Sequence, residues 1–113
     1  ANRHSIAGTG RGGSGYEARH NVELGRTLSH CFDMHGGRDR KDGTDVAGGW
    51  MHVHHNTFRA AGRCAIVIRG TPEDKAVVGR NWFRHKTERG AIRCEDRVIV
   101  HNNAWGRTDP VIA

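Results

Sequence analysis

Apolar and polar side chains alternate in short runs along this chain, and one run sets the pattern: Met51-His52-Val53-His54-His55-Asn56-Thr57-Phe58. The cadence returns in Val78-Gly79-Arg80-Asn81-Trp82-Phe83, in Ile99-Val100-His101-Asn102-Asn103-Ala104 and, more loosely, in Ala18-Arg19-His20-Asn21-Val22. Each copy has a small or branched apolar residue (Ala18, Val53, Val78, Ile99) three positions before an asparagine, and a basic or imidazole side chain (His20, His55, Arg80, His101) directly before it. Period-two alternation is the signature of a strand with one buried face. With the positions five and three before each asparagine, and two after it, taken as inward, Met51, Val53 and Phe58 face a core, as do Ala76, Val78 and Phe83. In the last copy Ile99 and Ala104 fit, and Arg97 breaks the rule.

A second set of strands lies between these copies. Phe32-Asp33-Met34-His35-Gly36 aligns with Ile66-Val67-Ile68-Arg69-Gly70 and with Ile92-Arg93-Cys94-Glu95. Phe32, Met34, Ile66, Ile68, Ile92 and Cys94 then alternate inward, leaving two outward columns: Asp33, Val67, Arg93, and His35, Arg69, Glu95. Self-similarity of this kind marks a repeat architecture in which each unit stacks on the next. An asparagine at a strand end suits a tight turn, where its amide bonds neighbouring backbone and stacks on the asparagine of the next unit. The expected domain is a single all-β unit, or an excerpt of one, spanning residues 1–113. Its repeats cover about 16–106, in about four coils with an asparagine series at 21, 56, 81 and 102, and a polar insertion occupies 37–49.

Composition supports β structure over helix. Leu, Ile, Val and Phe number 20 of 113 residues, less than a single globular core of this length requires but enough for narrow stacked coils. Gly8 to Gly15 matches a Gly-x-Gly-x-x-Gly fingerprint, yet a strand-like Tyr16-Glu17-Ala18 follows where a phosphate cradle needs a helix, so the stretch reads as a loop or the rim of a first coil. The net charge of +6 with histidine neutral makes polyanions the natural partners. Basic residues are interleaved with acids, without runs and with few aromatics. That weighs against nucleic acid and for an acidic polysaccharide. No stretch has the length of a membrane span. Cys31, Cys64 and Cys94 lack Cys-x-x-Cys spacing, and their odd number encodes neither a disulfide scaffold nor a zinc ribbon.

His54-His55-Asn56-Thr57-Phe58, its echo Arg80-Asn81-Trp82-Phe83 and the asparagine series resemble the repeats of right-handed parallel β-helix proteins, the pectin-lyase-like superfamily. Arg3-His4-Ser5-Ile6-Ala7-Gly8-Thr9-Gly10, Tyr16-Glu17-Ala18-Arg19-His20-Asn21 and Phe32-Asp33-Met34-His35-Gly36 are similar to segments of its uncharacterised bacterial members. The resemblance implies a solenoid with the asparagines at the turn between its second and third sheets. It also implies that the strands at 32–35, 66–69 and 92–95 floor a saccharide cleft on the first sheet. The chain is short for that superfamily, so it is either part of a longer helix or closes its open ends by self-association.

Three constellations carry chemistry. Asp33, His35, Arg69, Arg93 and Glu95 offer what β-elimination on a uronic acid requires: arginines for the carboxylate, a histidine as base or acid, and Asp33 to orient it. Trp50 could stack on a sugar ring beside Arg69 and Arg93. The alternative for the same residues is a solvated face of cross-strand ion pairs. Second, His52 and His54 leave one strand on the same face and, with Glu17 or an aspartate of the insertion, could hold zinc or copper. Third, Asp39, Asp42 and Asp45 in the insertion are candidate calcium ligands opposed by Arg38, Arg40 and Lys41. The leading expectation is an extracellular or periplasmic carbohydrate-active or carbohydrate-binding module for an acidic polysaccharide. The rivals are a structural or adhesive β-helix that self-associates and a metal-binding protein.

Overall fold

A computed structural model describes residues 4–24 and 30–106. Its twelve strands fall into three parallel sheets of four. The first sheet holds β1 (Ile6–Gly8), β4 (Phe32–Met34), β7 (Ile66–Ile68) and β10 (Ile92–Arg93), in that order. The second orders β2 (Gly15–Arg19), β5 (Trp50–His54), β8 (Lys75–Gly79) and β11 (Val98–His101). The third orders β3 (Val22–Glu23), β6 (Thr57–Phe58), β9 (Trp82–Phe83) and β12 (Ala104–Trp105). The chain therefore visits the three sheets in turn and adds one strand to each on every pass. Two single turns of helix, α1 (Gly37–Arg40) and α2 (Glu88–Ala91), interrupt the connections. Among the described residues no helix is long and apolar enough to cross a membrane, and no disulfide joins the cysteines.

The expected inward residues form one core drawn from all three sheets: Phe32, Met34, Met51, Val53, Phe58, Ile66, Ile68, Ala76, Val78 and Phe83 are each at most 1 % exposed. Phe58 stacks on Phe83 at 4.8 Å and meets Phe32 edge-on at 5.1 Å, and Phe83 stacks in turn on Trp105 at 4.8 Å. First-sheet strands pair as the sequence alignment implies, Phe32 with Ile66 and Ile66 with Ile92. The Gly8–Gly15 stretch is the connection from β1 into β2.

The last repeat differs from expectation by one residue. Val98 pairs with Ala76 and Val100 with Val78, so Val98 and Val100 pack toward the core while Ile99 is 49 % exposed. The corner explains the shift. His20, His55, Arg80 and Asn102 all adopt a left-handed backbone with φ of 53° to 56°, and the asparagine with the structural role follows each of them. That asparagine is Asn103 in the last copy, and Arg97 drops out of the inward set. A one-residue slip reverses the face of every side chain in a strand, which is why Arg97 looked anomalous.

At this corner the amides connect in series. Asn21 donates to Asn56 Oδ1 at 2.9 Å, Asn56 to Asn81 Oδ1 at 3.0 Å, and Asn81 to Asn103 Oδ1 at 3.0 Å. The backbone N–H groups of Asn21, Asn56 and Asn81 donate to the same oxygens. The insertion is fastened by Arg40, whose guanidinium donates to the carbonyls of Thr9 and Val46 and to the Asp42 carboxylate, each within 2.9 Å.

Candidate functional site

On the outward face of the first sheet, Asp33 is fully buried although it points away from the core. Of the groups that cover it, His30 and His35 are its near neighbours in sequence, and His4 and Arg69 come from further away. Arg69 Nε lies 3.2 Å from Oδ1 and His30 Nε2 2.9 Å from the same oxygen. His35 Nε2 stands 2.9 Å from Oδ2 and His4 Nε2 3.7 Å from it. None of the contacts to Oδ2 is an aligned hydrogen bond. His35 Nδ1 is 3.4 Å from Asp39, and Arg69 reaches Asp39 at 3.6 Å. Burial holds His30 below its usual range, against the pull of Asp33. Burial also pushes the Asp39 carboxyl up, but the Gly36 N–H, Arg69 and His35 together bring it below the usual carboxylate value.

Beside this cluster opens a cavity of about 410 Å³ lined by Arg38, Asp39, Val67, Arg69, Arg93 and Glu95 among others. Asp33, His35 and Arg69 are thus together as the sequence suggests, and Arg69, Arg93 and Glu95 share the cleft. Their roles differ from those expected. Glu95 takes both carboxylate oxygens to Arg38 at 2.7 Å, so it is already paired. His35 has a carboxylate at each ring nitrogen and does not line the cavity. Trp50 starts a strand of the second sheet and is not in the cleft lining; its indole lies over Gly15, where it would clash with an added Cβ. Sequence reasoning missed His4, His30 and Arg38: His4 reaches Asp33 only through the pairing of β1 with β4, whereas the i,i+3 spacing of His30 and Asp33 was a local signal.

The second face carries the histidines. Glu17 pairs with His52 in the strand register and reaches His54 Nε2 at 2.6 Å and His52 Nδ1 at 3.8 Å. The three ligand atoms lie within 4.8 Å of one another, close enough for one metal ion. The His54 hydrogen bond holds the Glu17 carboxyl below its usual range. His54 Nδ1 meets His55 Nδ1 at 2.7 Å. A smaller cavity of about 250 Å³ adjoins them, bounded by His55, Gly79, Arg80 and His101. The third constellation does not converge. Asp42 is tied to Thr44 and Arg40, Asp45 to Arg38 and Thr71, and Asp39 to the Gly36 N–H. These carboxylates serve turns and ion pairs and not a calcium site.

The imidazoles give the fold a pH dependence. Burial first, then neighbouring cations and imidazoles, holds His52 and His55 below their ordinary value, and His30 shifts the same way. A group with a depressed folded pKa contributes stability that is complete above its unfolded value, about 6.5, and is lost as pH falls through the folded value. With chelator present, the melting temperature is expected to fall between about pH 7.5 and pH 5.5, before carboxylates titrate. His52→Gln with His55→Gln should flatten the slope. A flat or rising profile in the parent protein would refute the assignment.

No family model, curated protein or solved structure matches this chain.

Proposed function

We propose that the chain is a stretch of right-handed parallel β-helix with an asparagine ladder at one corner, and that the cleft over its first sheet binds an acidic saccharide outside the cytoplasm. The order of strands, repeated on three parallel sheets, supports the fold. One observation carries the function. Among the described residues Arg93 is the exposed cation in the cleft with no carboxylate held against it, whereas Arg38 and Arg69 are both in ion pairs. A uronate carboxylate presents the planar pair of oxygens that a guanidinium fork binds in bidentate fashion. Sugar hydroxyls could donate to Asp39 and Glu95. With His35 held between two carboxylates, the cleft is better furnished for binding than for β-elimination.

Titration of the purified protein with an oligogalacturonate tests this. Arg93→Ala should weaken binding about tenfold, the loss of roughly 1.4 kcal/mol expected for one charge-assisted contact. Lys75→Ala, on the second sheet, should leave it unchanged. Equal affinity for a neutral glucan, or an Arg93→Ala variant that binds as the parent does, sinks the reading. Accumulation of unsaturated, ultraviolet-absorbing product would move it to a lyase. A second reading, metal binding on the second sheet, rests on the convergence of Glu17, His52 and His54. One bound zinc or copper fewer per chain in His52→Gln/His54→Gln than in the parent would support it.

A further inference from the structure

The hydrogen bonding around Asp33 contains a mismatch. His4 Nδ1 lies 2.9 Å from the His30 carbonyl, an oxygen that can only accept, so Nδ1 carries the hydrogen. In the neutral ring the lone pair is then on Nε2, and Nε2 faces Asp33 Oδ2 across 3.7 Å. Oδ2 is itself a buried oxygen with no aligned donor. Two acceptors thus face each other in a site where Asp33 is fully buried and the His4 side chain is 10 % exposed. Burial makes such an arrangement costly unless a proton on Nε2 or a metal ion stands between the two.

We propose that His4, His30 and Asp33 bind a divalent first-row metal ion, zinc or one of similar preference, and that the ion fastens the start of the chain to the first sheet. The three ligand atoms lie within 4.8 Å of one another. Two ligands each about 2.0–2.2 Å from zinc stand about 3.3–3.7 Å apart at tetrahedral and slightly wider angles, which is the gap between His4 Nε2 and Oδ2. The surroundings are those of a metal centre. The His4 Nδ1–H donates to a backbone carbonyl, which fixes ring and tautomer, and Arg69 holds Oδ1 so that Oδ2 is the oxygen left to ligate, while His30 Nε2, now 2.9 Å from Oδ1 and 3.4 Å from Arg69, would exchange those contacts for the ion. Asp39 partners Arg69 in turn and offsets its charge. His35 Nε2, 2.9 Å from Oδ2, provides a further imidazole on the more exposed side. The donor set of imidazoles and one carboxylate suits zinc better than calcium or magnesium. Its ligands come from before β1 and from just before and within β4, so the ion would link segments that the sheet alone joins only through short strands.

The test separates this site from the one on the second sheet. The His52→Gln/His54→Gln protein, stripped by chelation, is titrated with zinc by calorimetry and melted with and without it. One zinc per chain and a raised melting temperature are expected, because an ion that binds only the folded form stabilises it. Adding His4→Gln should weaken zinc binding at least about tenfold, the lower end of what even an outer partner contributes. No zinc binding in the double variant, or unchanged affinity on adding His4→Gln, overturns the proposal. Should His4→Gln lose its β circular dichroism, cobalt titration of the double variant decides instead. Paramagnetic shifts of the His4 and His30 ring protons support the site, and unshifted rings refute it.

Discussion

Phe58→Ala is expected to lower the unfolding free energy by about 3–5 kcal/mol, the range for removing a buried aromatic ring that the backbone cannot collapse onto. Phe58 is 1 % exposed and touches an aromatic ring on either side, Phe32 edge-on and Phe83 face to face. Its loss removes its own burial and also its two ring contacts, one within its own rung and one to the next, each contributing about 0.5–1.5 kcal/mol beyond area. Rungs on both sides are pinned by hydrogen bonds to their neighbours, so the space stays open. Urea denaturation followed by circular dichroism should show a lower midpoint with a similar slope. Phe58→Leu should cost less than half as much. A loss under about 1.5 kcal/mol for the alanine variant would mean that the rings are not the centre of the core.

Asn56→Asp should be nearly as damaging, at about 3 kcal/mol, although it exchanges a single N for an O. The Asn56 side-chain amide donates to the carbonyls of Ala18 and His54 and to Asn81 Oδ1, and its oxygen accepts from Asn21 twice. An aspartate keeps the accepting side and sets an oxygen, with a buried charge, against three acceptors. Asn21→Asp should cost clearly less, since Asn21 is partly exposed and its side chain makes two donations. The comparison is read from urea midpoints at neutral pH. Equal losses at the two positions would show that position in the series does not matter and would count against the buried amide chain as the cause.

Much of this fold was legible because its determinants are local and periodic. Alternation at Met51, Val53 and Phe58 marks the inward face directly, and the first three asparagines each follow a residue that the corner holds left-handed. The same local logic failed where the sequence offered two answers. Asn102 and Asn103 both follow plausible corner residues, and only pairing with the preceding strand decides between them. At the site, the two-residue spacing of His52 and His54 was enough to put both on one face, and strand pairing sets Glu17 beside them. Asp33 was harder. Alternation correctly sends its side chain outward, but outward is not the same as exposed, and what covers it includes His4 and His30, which lie in connections outside the repeating strands.

One corner of the chain never changes length. His20–Asn21, His55–Asn56, Arg80–Asn81 and Asn102–Asn103 each join a strand of the second sheet to one of the third. The connection from the first sheet to the second varies freely, from residues 94–97 in the last pass to 35–49 in the second, and the longest one carries Arg38 and Asp39 into the cleft wall. Frame and selectivity are therefore separable in this molecule. A grafted or shortened segment between Gly36 and Asp45, which leaves the core residue Ala47 in place, would reshape the wall of the proposed groove while the fixed corner kept every strand in phase, which makes the scaffold a candidate for loop exchange.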